Sequence, residues 1–121
     1  MGKAETGKRG ELAVARYLRE HGYTVLTANY RCRFGEIDII AEDETYICFV
    51  EVKTRGEGMR YAPADAVDAR KRQRILTTAE LYLAQNPSKK QPRLDVAEVF
   101  TKNGQVAKIH YIRNAYDGEG K

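Results

Sequence analysis

Two carboxylates and a lysine stand where the core of a β-hairpin should be. The stretch Gly35–Arg55, GEIDIIAEDETYICFVEVKTR, holds two apolar, β-prone runs, Ile37–Ala41 and Tyr46–Val52, separated by a polar turn. Asp38 interrupts the first run; Glu51 and Lys53 lie inside and just past the second. Ionised groups in such runs are costly unless something pairs them. An acid, then an acid and a lysine two residues apart, is a set that can hold a divalent metal and activate water. Magnesium takes few carboxylates and keeps water and substrate phosphate as its other ligands. Asp38 and Glu51 on adjacent strands suit it, with the backbone carbonyl of Val52 as a third ligand. Such an ion lowers the pKa of a bound water and offsets charge developing on a phosphate. Lys53 could position the attacking water or stabilise the charged transition state. The competing reading is a buried salt-bridge cluster that only sets strand register, a poor stabiliser beside apolar packing.

The elements around this set follow from periodicity. The turn Glu42–Thr45 predicts an antiparallel hairpin. With an even loop, period-two alternation places Asp38, Phe49, Glu51 and Lys53 on one face. Ile37 and Ile39 are expected on the other, with Cys48, Val50 and Val52. A helix is expected over residues 6–21, with Leu12, Ala15 and Leu18 as its apolar side and His21-Gly22 as its stop. Glu11 projects from that side, and its place in the first turn would suit the helix dipole. A short strand spans Tyr23–Ala28, and the polar, basic Asn29–Phe34 reads as a connection. A glycine-containing loop is expected over Thr54–Ala62, with Pro63 opening a second long helix over residues 64–85. Val67, Ile75, Ala79, Tyr82 and Leu83 make its stripe. Lys71 falls on the stripe side, whereas Arg70, Arg72 and Arg74 fan outward. Two further strands, Arg93–Phe100 and Gln105–Ile112, flank the tight-turn signal Asn103-Gly104. Asp95 in the first of them calls for a partner such as Arg93 or a backbone donor. The order α, β, β, β, α, β, β indicates an α/β or α+β sandwich, helices covering a mixed sheet.

At 121 residues the chain fits one domain, with residues 116–121 as a flexible tail, and can bury roughly two-thirds of its unfolded surface. The composition, 42% hydrophobic and 31% charged, is that of a soluble globular protein. The apolar runs are too short to span a membrane. The N-terminus lacks the apolar segment of a secretory signal, so a cytoplasmic protein with two free thiols is expected. His21 and His110 are isolated and do not read as metal ligands. The net charge of +4 is mild, but the basic residues gather near the central stretch, at Arg31 and Arg33, Lys53 and Arg55, and Arg70–Arg74. Each cluster alone reads as a solvated face; together they suit a phosphate-binding surface.

GEIDIIA followed by FVEVKTR resembles the core of the PD-(D/E)xK nuclease superfamily. More closely, the chain from Gly7 to Ala115 resembles the YraN-like bacterial family, itself similar to archaeal Holliday-junction resolvases. GKRGELAVARYL, NYRCRFGEIDII, FVEVKTR, ARKRQRIL, RLDVAEV and IRNAY carry the likeness. It implies an α/β, restriction-endonuclease-like fold with a mixed central β-sheet flanked by helices. It also implies Asp38 and Glu51 as metal-binding acids, Lys53 as the catalytic lysine, Glu11 as the acid of the first helix, and Lys71 as a basic group near the site. Ile37 departs from the wider superfamily, which often has proline before the aspartate.

The expected activity is therefore magnesium-dependent hydrolysis of DNA phosphodiesters, with manganese as a substitute ion. Arg31, Arg33, Arg55, Arg70, Lys71, Arg72 and Arg74 would contact flanking phosphates. No base-reading insert is visible, which favours branched or nicked DNA as substrate. Cutting two strands would need a homodimer. The alternative is a non-catalytic module that binds nucleic acid or another partner and keeps a relic site.

Overall fold

The computed structural model describes residues 3–56 and 69–115, with side chains from residue 7 onward. The expected helix start at Pro63, Val67 of the stripe and the tail at 116–121 lie outside the described residues. The elements are α1 (Lys3–Glu20), β1 (Thr24–Cys32), β2 (Gly35–Glu42), β3 (Tyr46–Arg55), α2 (Ala69–Gln85), β4 (Gln91–Lys102) and β5 (Gln105–Ile112). They form an α/β fold in which one five-stranded sheet, ordered β1-β2-β3-β4-β5, lies between the two helices. β3 and β4 are parallel and the other pairs antiparallel, so the sheet is mixed. The parallel pair is joined through α2, as a crossover between parallel strands requires. This is the architecture of a restriction-endonuclease-like core.

The α1 face buries Val14 and Leu18 against Ile39, Cys48, Val50, Ala97 and Val99. The α2 face buries Ala79 against Ile37, Ile40, Ile47 and Phe49. β2 and β3 are covered on both faces, which is why their runs are nearly continuous in apolar residues. Helix α1 ends in paired reverse bonds: Tyr23 N–H donates to the Leu18 carbonyl and Gly22 N–H to that of Arg19. This closure returns Tyr23 onto Leu18 in the same core.

Several expectations need correction. Helix α1 begins at Lys3, so Glu11 lies in its third turn, beyond the reach of a dipole effect confined to the first. Leu12 is 63% exposed; the packed side of α1 is Val14 and Leu18. Gly10 continues that side toward the sheet: a Cβ there would displace the Thr54 hydroxyl, so glycine eases the close approach of α1 to β3. β1 extends through Asn29–Cys32 rather than ending at Ala28. At the sheet edge its polar side chains can face water while the backbone still pairs with β2. Likewise β3 continues through Thr54 and Arg55, where a loop was expected to begin.

The expected grouping of Ile37 with Ile39 also fails, and the reason positions the site. Residues two apart in a regular strand share a face. Yet Ile39 packs on the α1 side and Ile37 on the α2 side. Their partners in β1 behave alike: Ala28, opposite Ile39, faces α1, whereas Tyr30, opposite Ile37, meets Tyr82 of α2 edge-on. Between these pairs stand Asp38 and, across from it, Asn29 with φ 57°. Asparagine is among the few residues that enter the left-handed region readily. Its turn there reverses the alternation of both strands at Asp38.

Candidate metal and nucleic-acid site

The β2–β3 ladder pairs Glu42↔Ile47 through Ile39↔Val50 and goes no further, while β1 stays paired with β2 as far as Cys32↔Gly35. Asp38 is the first residue of β2 past the last β3 pair, so its carboxylate lies where the two strands part. Instead of a backbone bond, Asp38 Oδ2 accepts the Val52 N–H at 2.7 Å. A residue's N–H and C=O leave an extended strand on the same side, so the Val52 carbonyl faces this gap too.

On the α2 side, Asp38, Glu51, Val52, Glu36 and Lys71 line a pocket of about 280 Å³ closed below by Phe49 and Ile75. Glu51 Oε2 is 3.3 Å from Lys53 Nζ and is also ion-paired with Lys71 Nζ. Lys71 sits one turn before the buried Ile75, which brings its ammonium down onto the sheet. On the α1 side, Glu11 lines a groove of about 480 Å³ with Lys8, Arg19, Asn29 and Arg31, and its charge reaches Asp38. Both helices thus converge on the β2–β3 gap from opposite faces.

The electrostatics follow. Burial pushes the Asp38 carboxyl up to about 6; the Val52 N–H works against this, and the charges of Glu11, Glu51 and Glu36 reinforce it. Burial, together with the neighbouring Lys71, lowers the Lys53 amine, and Glu51 opposes that shift. For Lys71, burial is outweighed by its bond to Glu51 and by Lys53, so its pKa is raised. Among the described residues Asp38 forms no ion pair in this acid-rich gap, whereas Glu51 has drawn in the ammoniums of Lys53 and Lys71. An acid-rich gap of this kind attracts positive charge, which an ammonium or a hard divalent ion can supply. Among the described residues no three His, Cys, Asp or Glu side chains converge into a ready-made cage.

Arg31 and Arg33 are exposed on the β1–β2 hairpin, Arg31 in a 3.0 Å pair with Glu36. Arg70 and Arg74 are exposed on α2 and Arg72 is half-buried. Arg55 is the exception: only 7% exposed, it pairs at 3.4 Å with the buried Glu98 of β4. Extending β3 to Arg55 turns this side chain inward beside Glu98, which corrects its expected place on a phosphate-binding surface. Asp95 is fully buried and held as anticipated, by Arg93 in two-pronged fashion and by the Asn114 N–H, with the Tyr111 hydroxyl added at 2.6 Å. Sequence reasoning missed Glu36, which joins the site from β2, and Asn29. The asparagine within an otherwise strand-like TVLTANYRC was the available signal.

The profile of the uncharacterised protein family UPF0102 matches residues 10–99. The chain is 40% identical over 117 residues to a UPF0102 protein of Caldanaerobacter subterraneus subsp. tengcongensis, covering 94% of this chain and 96% of that one. It is 42% identical over 112 residues to one from Persephonella marina, covering 92% of each. A UPF0102 protein of Alkaliphilus metalliredigens is 44% identical over 111 residues, covering 91% of this chain and 96% of the relative. Gly10, Glu11, Asp38, Glu51, Lys53 and Lys71 all fall within the matched residues.

Proposed function

The chain belongs to the uncharacterised protein family UPF0102, and we propose that it is a magnesium-dependent endonuclease that hydrolyses DNA phosphodiesters. The observation that carries this reading is Asp38 at the parting of β2 and β3, lining one pocket with Glu51 and Lys71, with Lys53 paired to Glu51. A purely structural salt-bridge cluster does not need an acid whose proton affinity is raised by burial and further by three other acids.

In this reading Asp38, Glu51 and the Val52 carbonyl hold the ion, which when bound supplies an acidified water and offsets charge on the phosphate. Lys53 donates to the attacking water or to a non-bridging phosphate oxygen. The water oxygen bonds to phosphorus, the bond to the leaving deoxyribose oxygen breaks, the water's proton passes to solvent, and the leaving oxygen takes a proton from solvent. Glu11, from the opposite helix, accepts hydrogen bonds from water around the site. Lys71, paired with Glu51 in the structure, would contact the phosphate when Glu51 serves as a metal ligand. Arg31, Arg33, Arg70, Arg72 and Arg74 contact the flanking backbone. One site cuts one strand, so a double cut takes two copies.

The ion pairs of Glu51 with Lys53 and Lys71 favour a second reading, in which the acids are internally neutralised and the domain binds nucleic acid without cutting it. Cleavage assays on linear, nicked and four-way DNA separate the two. They are run with magnesium, manganese or EDTA, on wild type, Asp38→Ala and Lys53→Ala. Metal-dependent cutting lost in both variants supports the nuclease. Cutting that persists in Asp38→Ala sinks it, and salt-dependent binding without cutting under any metal favours the second reading.

A further inference from the structure

The two hairpins with tight turns differ at their tips. The β4–β5 tip is Asn103-Gly104, with φ 55° and 77°, the residues and dihedrals that a two-residue turn selects. The β1–β2 tip, between the paired Cys32 and Gly35, is Arg33-Phe34, and neither residue has positive φ. A tip that rejects the usual turn residues and presents an aromatic ring to water departs from local folding rules, and such departures concentrate where function imposes them.

Phe34 is 38% exposed, and the Arg33 guanidinium lies over its ring at 4.9 Å. The tip is anchored. Phe34 N–H donates to Cys32 Sγ, Cys32 Sγ contacts Thr78 of α2 at 3.8 Å, and a Cβ on Gly35 would come within 3.3 Å of Thr78 Oγ1. Gly35 also approaches Arg74, so the tip that carries the ring lies against α2 beside that arginine, with Arg31 two residues before Arg33 in the chain. Phe34 immediately precedes β2, the strand that carries Asp38 four residues on, or about 13 Å along an extended chain. That corresponds to about four stacked nucleotides at ~3.4 Å each.

We propose that the Arg33-Phe34 tip stacks on an unpaired nucleobase and so selects DNA with a disrupted stack near the bond to be cut. This rests on the DNA reading of the Asp38 site. In an intact duplex every base face is already covered and the ring has nothing to stack on. At a branch, flap or bulge a free base face is available, and aromatic rings flanked by arginine bind such faces without regard to sequence. Arg33 covers one face of the Phe34 ring and supplies a phosphate contact, while the other face meets the base.

The test is anisotropy of the full chain in EDTA, where nothing is cut, on a labelled four-way junction, a bulged duplex and an intact duplex of matched sequence. Wild type should prefer the disrupted substrates. Phe34→Ala should weaken them roughly tenfold, as loss of one stacked base implies, and leave duplex affinity and its salt dependence unchanged. Phe34→Tyr should keep the preference. 2-Aminopurine at the unpaired position should be quenched by wild type and not by Phe34→Ala. Equal weakening on all three substrates, an unchanged preference, or no preference in wild type overturns the proposal. Absence of DNA binding by wild type at low salt overturns the DNA reading itself, and this inference with it.

Discussion

Replacing Asp38 by asparagine should stabilise the protein while abolishing its activity. The carboxyl moves from 3.8 to about 6 on folding, so the folded state binds its proton more tightly than the unfolded state does. Between these values the folded chain holds more protons, and unfolding free energy falls as pH rises through the window. Above about pH 7 the full cost of the ionised group is present; below pH 3.8 it has gone. A shift of this size corresponds to about 3 kcal/mol, reduced toward about 2 by the solvent that still reaches the carboxyl. Asparagine is close in shape, keeps an oxygen for the Val52 N–H and carries no charge. Urea unfolding followed by circular dichroism should therefore show Asp38→Asn more stable than wild type by about 2–3 kcal/mol at pH 8. The gap should close progressively between pH 6 and pH 4. Magnesium at pH 8 should narrow it by stabilising only the wild type. A variant no more stable than wild type at pH 8, or a gap that does not change with pH, would refute the electrostatic account of this gap.

Asn29→Ala should lose about 1–2 kcal/mol from the left-handed backbone and weaken magnesium binding measured by calorimetry. Asn29→Gly should keep metal affinity, because glycine holds the same φ. Lys71→Met removes one of the two ammoniums competing for Glu51, so calorimetric magnesium affinity should rise, while the salt dependence of DNA binding falls by about one counterion. Asp95→Ala leaves Arg93 buried without its carboxylate and should cost about 3–5 kcal/mol in urea unfolding. Whatever folded protein remains should bind magnesium as wild type does, since Asp95 packs on the α1 face among Arg93, Tyr23 and Tyr111.

Much of the frame was legible in the chain. Alternation and turn residues specify strand order locally, so all seven elements were recovered in sequence order, and the Asn103-Gly104 hairpin was read with its bounds for β5 correct. Parity likewise put Asp38 and Glu51 on one face, because both runs are buried and a one-residue slip would expose them. Asp95 also announced itself, since a charge in such a strand requires partners.

Other features needed the folded molecule. The extension of β1 beyond Ala28, the exposure of Leu12 and the burial of Arg55 depend on what each segment packs against, and no local pattern encodes that. The parallel pairing of β3 with β4 sets Glu98 beside Arg55, joining residues far apart in the chain. Lys71 reaches Glu51 only because α2 lies across β2 and β3. The face reversal at Asn29 is the clearest case. Period-two counting assumes regular strands, and one left-handed residue breaks the count in both strands it joins. The sequence by itself determined which groups could do chemistry and the strands that carry them. The tertiary structure decided that Asp38 sits where two strands part, because only strand pairing, and the left-handed turn that distorts it, can leave a half-buried carboxylate facing open space.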